Sequence, residues 1–223
     1  MIHEAFTKYH RLLGTVAAFS IFFILIAYAV TLVLGLLSLT SPQEPIGDPF
    51  FSVMEILIIV LAPVMVMVMV VIHGYAAPRT RIFSLTALAF MIVSACITSS
   101  VHFVILTVSR QMASAGFPWI SLFLSFEWPS VTYALDILAW DIFFALSMLF
   151  AAPVFTQGRL EKTVRILMIL SGVLSLAGLI GVPLADMNVR NIGIIGYVGV
   201  SLAVFPLLGI LFWHTRQPIE ESG

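Results

Sequence analysis

The chain has 223 residues, of which 61% are hydrophobic and 9% are charged, and its formal net charge is -1. Soluble domains carry about 25% charged residues, so this composition excludes an aqueous surface over most of the molecule. The nearly neutral charge supplies no basic patch to neutralise phosphates and argues against a nucleic-acid partner. Cys96 is the single cysteine, which excludes internal disulfides, paired-cysteine redox motifs and cysteine-bound iron–sulfur clusters.

Six apolar runs follow one another along the chain, and each has about the 20 residues that a membrane-spanning helix needs. Segments rich in proline, glycine and charged residues separate them. The sequence therefore predicts an all-α, polytopic membrane protein, with six transmembrane helices in an up-down bundle that forms a single domain over 1–223. The predicted spans are 12–39, 52–74, 83–108, 130–154, 164–185 and 191–213, followed by a short polar tail at 215–223.

The first run stays uncharged from Leu12 to Gln43. It far exceeds the about 7–15 residues of the apolar core of a signal peptide, so we expect a retained first helix.

The lysines and arginines are unequally divided between the two sides of such a bundle. Only Arg110 and Arg190 fall on one side. The positive-inside rule then predicts a multi-pass inner-membrane protein with both termini in the cytoplasm. The residues on the predicted cytoplasmic side are Lys8, Arg11, Arg79, Arg81, Arg159, Lys162, Arg165 and Arg216.

The connection between the third and fourth predicted helices, near 110–130, is long and aromatic. Its charge-free stretch, 111–126, is too short to span a bilayer. We therefore predict an interfacial or re-entrant segment with aromatic rings at headgroup depth. Two interpretations stay open: a simple aromatic belt, or a lid over an outward-facing pocket.

A few ionisable residues interrupt the apolar runs, although a carboxylate costs about 2.5–3.5 kcal/mol inside a membrane. Glu55 falls in the outer turn of the second helix, and His102 lies about two turns from the outer end of the third. Asp136 falls about two turns into the fourth helix, and Asp141 lies near the bilayer midplane. Because all four share the outer half, we expect a polar pocket that opens outward between helices 2, 3 and 4.

Asp136, Asp141, His102 and Glu55 are therefore the candidate catalytic residues, as proton donors, bases or a relay. The alternative for each is a structural hydrogen bond to a neighbouring helix. Asp186 and Arg190 have a further alternative as helix caps or a boundary ion pair. The candidate substrate-contacting residues are Trp140, Tyr133, Trp128, Glu127, Arg110, Asp186 and Arg190.

The remaining patterns point to packing. Gly193, Gly196 and Gly199 follow one another at helical spacing in the sixth predicted helix, and small residues let helices approach closely in lipid. The sequence contains no ligand-spacing motif for a metal and no recognisable cofactor-binding pattern, so neither is predicted.

The size of the chain and its paired membrane carboxylates are loosely similar to those of small integral-membrane terpene cyclases and sterol isomerases, without a motif that matches residue by residue. The leading hypothesis is acid–base isomerase or cyclase chemistry on a lipophilic small molecule in the bilayer. The alternatives are a proton-linked transporter of small solutes, or a non-catalytic lipid- or cofactor-binding subunit of a larger membrane assembly or oligomer.

Overall fold

The computed structural model describes residues 6–41, 44–114, 116–117 and 119–215, and these form helices and connections without a strand. Within these described ranges, six helices are long and apolar enough to cross a membrane, which confirms the expected all-helical, multi-pass architecture. The predicted tail after residue 215, with Arg216, lies outside the described residues. The six helices are α1 (Lys8–Leu37), α2 (Phe50–Tyr75), α3 (Pro78–Met112), α4 (Val131–Val154), α5 (Gly158–Gly181) and α6 (Met187–His214).

The helix starts follow ordinary capping chemistry. The Thr7 side chain accepts a hydrogen bond from the backbone N–H of His10 at the start of α1, and Ser130 does the same for Tyr133 at the start of α4. Both cases satisfy a backbone donor that the first helical turn leaves without a partner. α5 begins at Gly158, earlier than the predicted residue 164, so the basic segment 159–165 is its first two turns rather than a loop.

Each long helix packs against its sequence neighbours, and α1 also packs against α6. The buried core between them is mostly apolar, with Leu61, Met65, Val68, Phe144 and Phe205 nearly inaccessible. Large apolar side chains also cover the outside of the helices, as expected where hydrocarbon replaces water around the protein. Examples of such exposed residues are Phe23, Val60, Phe103, Ile166 and Trp213.

The connection between α3 and α4 has two parts. A single helical turn, Ile120–Phe123, carries exposed rings together with Phe117 and Trp119. Beyond it, Phe126 and Trp128 fold back so that both rings contact the ring of Tyr133 in α4. The second part of the connection therefore forms a wall of the space between the helices.

Three long helices contain a π-helical segment, in which each backbone bond spans one more residue than in an α-helix. These segments are Ile105–Ser109 in α3, Leu138–Phe144 in α4 and Ile195–Val200 in α6. The wider turn changes the direction in which following side chains leave the helix. Such segments are frequent at functional sites, and here they carry Ser109, Asp141 and Tyr197.

Candidate functional site

His102 lies between two carboxylates from different helices. Its Nδ1 is 2.8 Å from Glu55 Oε2, a hydrogen bond that joins α3 to the first turns of α2. Its Nε2 is 3.5 Å from Asp136 Oδ1 in α4, which is an ion-pair distance rather than a well-formed hydrogen bond. All three side chains are at most 13% exposed. We call Glu55, His102 and Asp136 the acid–base triad.

The triad lines a partly enclosed cavity of about 520 Å³. Helices 2, 3 and 4 contribute as expected, but Tyr28 from α1 and Tyr197 from α6 also form its wall. The cavity therefore lies among five helices rather than three. Apolar side chains line much of the rest, namely Ile46, Phe51, Met54, Ile105, Leu124, Phe126 and Ile194.

The Arg190 guanidinium lies at the edge of this cavity with an aromatic ring on either side. Its central carbon is 5.2 Å from the Tyr133 ring centroid and 5.6 Å from that of Tyr197. The Tyr197 ring stacks in turn on Trp140 at 5.3 Å. Cation–π contacts of this kind stabilise a charge that has little access to water.

Arg190 also forms an ion pair with Asp141, at 3.0 Å between Nη2 and Oδ2. Asp141 is fully buried and does not line the cavity. Its other oxygen, Oδ1, faces Gly193 and Gly178, and a Cβ at Gly193 would collide with it. Gly193, one of the glycines that predicted helix packing, thus also forms the slot that holds this carboxylate, together with Gly178.

The other candidate residues do not all line the cavity that contains the triad. Trp140 is buried behind Tyr197 and outside the cavity wall. Glu127 is at the cavity, and also lines a second, outer cavity together with Trp128 and Asp186. Asp186 accepts hydrogen bonds from the backbone N–H groups of residues 188 and 189, so it caps α6. Arg190 forms its ion pair with Asp141 instead.

Arg110 forms a polar cluster with the connection between α1 and α2. Its Nη2 is 2.6 Å from Asp48 Oδ1 and 2.7 Å from the Ser52 hydroxyl oxygen, and its guanidinium lies over the Phe51 ring. The Ser52 hydroxyl, which donates to Asp48 at 2.7 Å, and the Arg110 guanidinium hold the pKa of the Asp48 carboxyl below its usual value of 3.8. The polar side chains of this exposed cluster join the α1–α2 connection to α3 and lie outside the cavity wall.

Sequence reasoning missed Tyr28 and Tyr197 as cavity residues, and it missed Glu161 as a buried carboxylate. The Tyr75 hydroxyl donates to Glu161 at 2.6 Å, and the backbone N–H groups of Thr156 and Gln157 donate to its other oxygen. Glu161 is three residues into a helix, where acidic side chains pair with free backbone donors. That position was the one signal available in the sequence.

The described residues contain no group of three or more His, Cys, Asp and Glu side chains arranged to hold a metal ion. No protein-family model matches the chain, and neither the curated proteins nor the solved structures include a detectable relative. The chemistry of the cavity must therefore be inferred from its own residues.

Proposed function

We propose that this protein is an intramembrane acid–base enzyme that moves a proton on a lipophilic substrate, as an isomerase or cyclase does. The observation that carries the proposal is the acid–base triad on the wall of a largely apolar cavity. An imidazole with a carboxylate at each ring nitrogen can accept a proton on one side and release one on the other. The apolar walls suit the hydrocarbon part of a substrate.

In this mechanism, Asp136 and His102 face the substrate, and Glu55 orients the imidazole through its Nδ1. General acid–base groups of this kind contribute about 10²–10⁴-fold in rate. The rings of Phe126 and Tyr133 cover the reacting atoms on the side of the α3–α4 connection. Met54 and Ile105 add apolar side chains to the lining of the same cavity.

The membrane placement is part of the proposal. We place α1–α6 as an up-down bundle with both termini in the cytoplasm, the triad in the outer half and the α3–α4 connection at the outer interface. Support comes from the positive residues in the first turns of α3 and α5, which begin at the same end of the bundle, and from the burial of Arg190, which is therefore not a loop charge. The exposed rings of Phe117, Trp119 and Phe123 suit the headgroup region.

The contrast between the two ends of the bundle favours an enzyme over a proton-linked transporter. A transporter needs ionisable groups or water along a path across the membrane. Beyond the triad, α2 contributes the buried apolar residues Leu61, Met65 and Ile72, and the buried hydroxyls of Ser94 and Ser147 donate to backbone carbonyls. The triad is therefore suited to proton transfer within one cavity.

The experiment uses the purified protein with a total lipid extract of its host membranes in D₂O. Proton transfer to carbon leaves deuterium that does not wash out, so mass spectrometry of the whole extract picks out the labelled lipid by its mass. The wild-type protein should label at least one lipid species. Asp136→Asn and His102→Gln should reduce the rate by about 10²-fold or more.

Asp48→Asn is the matched control, because it removes a carboxylate at the same end of the bundle but outside the cavity wall. It should label lipid at the wild-type rate. Absence of labelling by the wild type, or equal labelling by Asp136→Asn, would overturn the proposal.

A further inference from the structure

A second cavity lies directly beside the first and extends towards the α5–α6 connection. Its volume is about 720 Å³, and it shares Phe126, Glu127 and Tyr133 with the inner cavity. Trp128 and Asp186 complete its aromatic and acidic lining. Because three residues line both spaces, the two cavities adjoin at Phe126, Glu127 and Tyr133.

The charges along this path are mostly negative. Glu127 and Asp186 line the outer cavity, and both are exposed within it. Among the described residues that line the outer cavity, none is lysine or arginine. An anionic headgroup would therefore meet like charges without a compensating cation, which disfavours binding.

The cations of the inner cavity are already neutralised. Arg190 pairs with Asp141 at 3.0 Å, and His102 lies between Glu55 and Asp136. Neither is left to balance the charge of an acidic ligand. The carboxylates thus exceed the available cations throughout both cavities.

Aromatic rings accompany the carboxylates where the two cavities meet. The Tyr133 ring is 6.4 Å from that of Phe126 and 6.3 Å from that of Trp128, each nearly edge to face. Ring faces attract ammonium groups through their quadrupole, and aromatic residues around a cavity are the usual recognition device for alkylated ammonium. The inner cavity offers Met54, Ile105 and other apolar side chains to a hydrocarbon chain.

We propose that the paired cavities bind a single-chain amphiphile with an alkylated ammonium head, held in the outer cavity by Glu127, Asp186 and Trp128. The hydrocarbon chain then extends past the triad in the inner cavity. This inference rests on the proposed function, since it makes the inner cavity the place of the reacting atoms. It differs from a zwitterionic lipid, whose phosphate would face Glu127 and Asp186 without a cation.

The test measures binding of four probes with the same dodecyl chain to the full-length protein in a neutral maltoside detergent. The probes are dodecyltrimethylammonium, dodecanol, dodecanoate and dodecylphosphocholine, each titrated by calorimetry at a small fraction of the detergent concentration, with protein-free detergent as the blank. The ammonium should bind about tenfold or more tightly than each of the others. Equal or tighter binding of dodecanoate, dodecanol or dodecylphosphocholine would overturn the inference.

Variants of the outer cavity identify which residues cause the tighter binding of the ammonium probe. Glu127→Gln with Asp186→Asn should remove most of the tenfold advantage of the ammonium, and Asn preserves the cap of α6 because it caps as well as Asp. Glu127→Gln alone, at an exposed position, should remove part of it and keeps the test valid if the double variant does not fold. Asp48→Asn should leave the preference unchanged; loss of the preference there, or its survival in the double variant, would contradict the assignment.

The two proposals fail separately. If lipid labelling in D₂O depends on Asp136 but the ammonium has no advantage, the enzyme stands and the ligand class is wrong. If the ammonium binds preferentially but no lipid is labelled, the cavities are a binding site and the proposed reaction is wrong.

Discussion

A buried glutamate lies near each end of α2: Glu161 of α5 contacts Tyr75 at one end, and Glu55 contacts His102 at the other. The two sites differ in whether every carboxylate oxygen has a hydrogen-bond partner. At one end, Glu161 receives the Tyr75 hydroxyl and two backbone N–H groups at 2.6–2.7 Å. At the other, Glu55 binds His102, and the third member of the triad, Asp136, keeps an oxygen without a hydrogen bond.

The surroundings of the two sites also differ, because one is enclosed by aromatic rings and the other borders a cavity. The Tyr75 ring is enclosed by Phe6, Phe155 and Phe212, at ring-centroid distances of 5.4–6.0 Å. The triad instead lines a cavity. A buried carboxylate whose acceptors are filled contributes structure, whereas one that faces a cavity with spare capacity is available for chemistry.

The Asp141–Arg190 pair is an intermediate case: it is buried like Glu161 and Asp141 does not line the cavity, although Asp141 Oδ1, like an oxygen of Asp136, has no hydrogen bond. Arg190→Met would leave Asp141 buried without its cation, and breaking such a pair costs about 3–5 kcal/mol of folding free energy. We expect this loss in the unfolding free energy measured by denaturant titration in detergent.

The double variant Asp141→Leu/Arg190→Met is the control for that prediction. Leu has the same number of heavy atoms and the same branch point as Asp, and replacement of both charges by apolar groups is often neutral or stabilising. Recovery of most of the lost free energy would assign the effect to an unpaired charge. A double variant as unstable as Arg190→Met would contradict it.

The glycine slot predicts a smaller effect. A methyl group at Gly193 would collide with Asp141 Oδ1, so Gly193→Ala should destabilise the protein by about 1–3 kcal/mol through overpacking. Gly199→Ala, in the same helix, is the matched control, because a Cβ there meets only Ile195 Cγ2 at 3.7 Å. Thermal unfolding should separate the two; equal midpoints would show that Asp141 is not held by the slot.

The smallest expected effect concerns pH at the Asp48–Arg110 cluster. The Ser52 hydroxyl and the Arg110 guanidinium lower the pKa of Asp48 below 3.8, so this contact stabilises the fold above that pH and is lost as the pH falls through the lowered pKa. The unfolding midpoint of the wild type should therefore fall more than that of Asp48→Asn between about pH 5 and pH 3. Parallel curves would show that the cluster contributes nothing.

The sequence was sufficient for the six helices, and it grouped Glu55, His102, Asp136 and Asp141 by depth as candidate site residues. Long apolar runs define spanning helices strongly, and Glu55, His102 and Asp136 could be compared by counting turns from the helix ends. The structure brings these three residues into contact. The membrane placement from which that count began remains a proposal.

The different roles of Asp136 and Asp141 could not be predicted, because both are carboxylates in one apolar helix. Asp141 lies within the π-helical segment Leu138–Phe144, which changes side-chain direction without a signature in the periodicity. Its partner, Arg190, resembled a helix-end charge until packing against Tyr133 and Tyr197 buried it. Glu161 was hidden in the same way, in a charged segment that resembles a turn.

The most direct test of the central claim is deuterium incorporation into lipid by Glu55→Gln and Glu161→Gln, compared at equal amounts of folded protein. Both variants make the same chemical change at a buried glutamate, at opposite ends of the bundle. If the triad moves the proton, Glu55→Gln loses about 10²-fold or more of the labelling rate, while Glu161→Gln retains it. Equal rates in the two variants, or a loss confined to Glu161→Gln, would contradict the account.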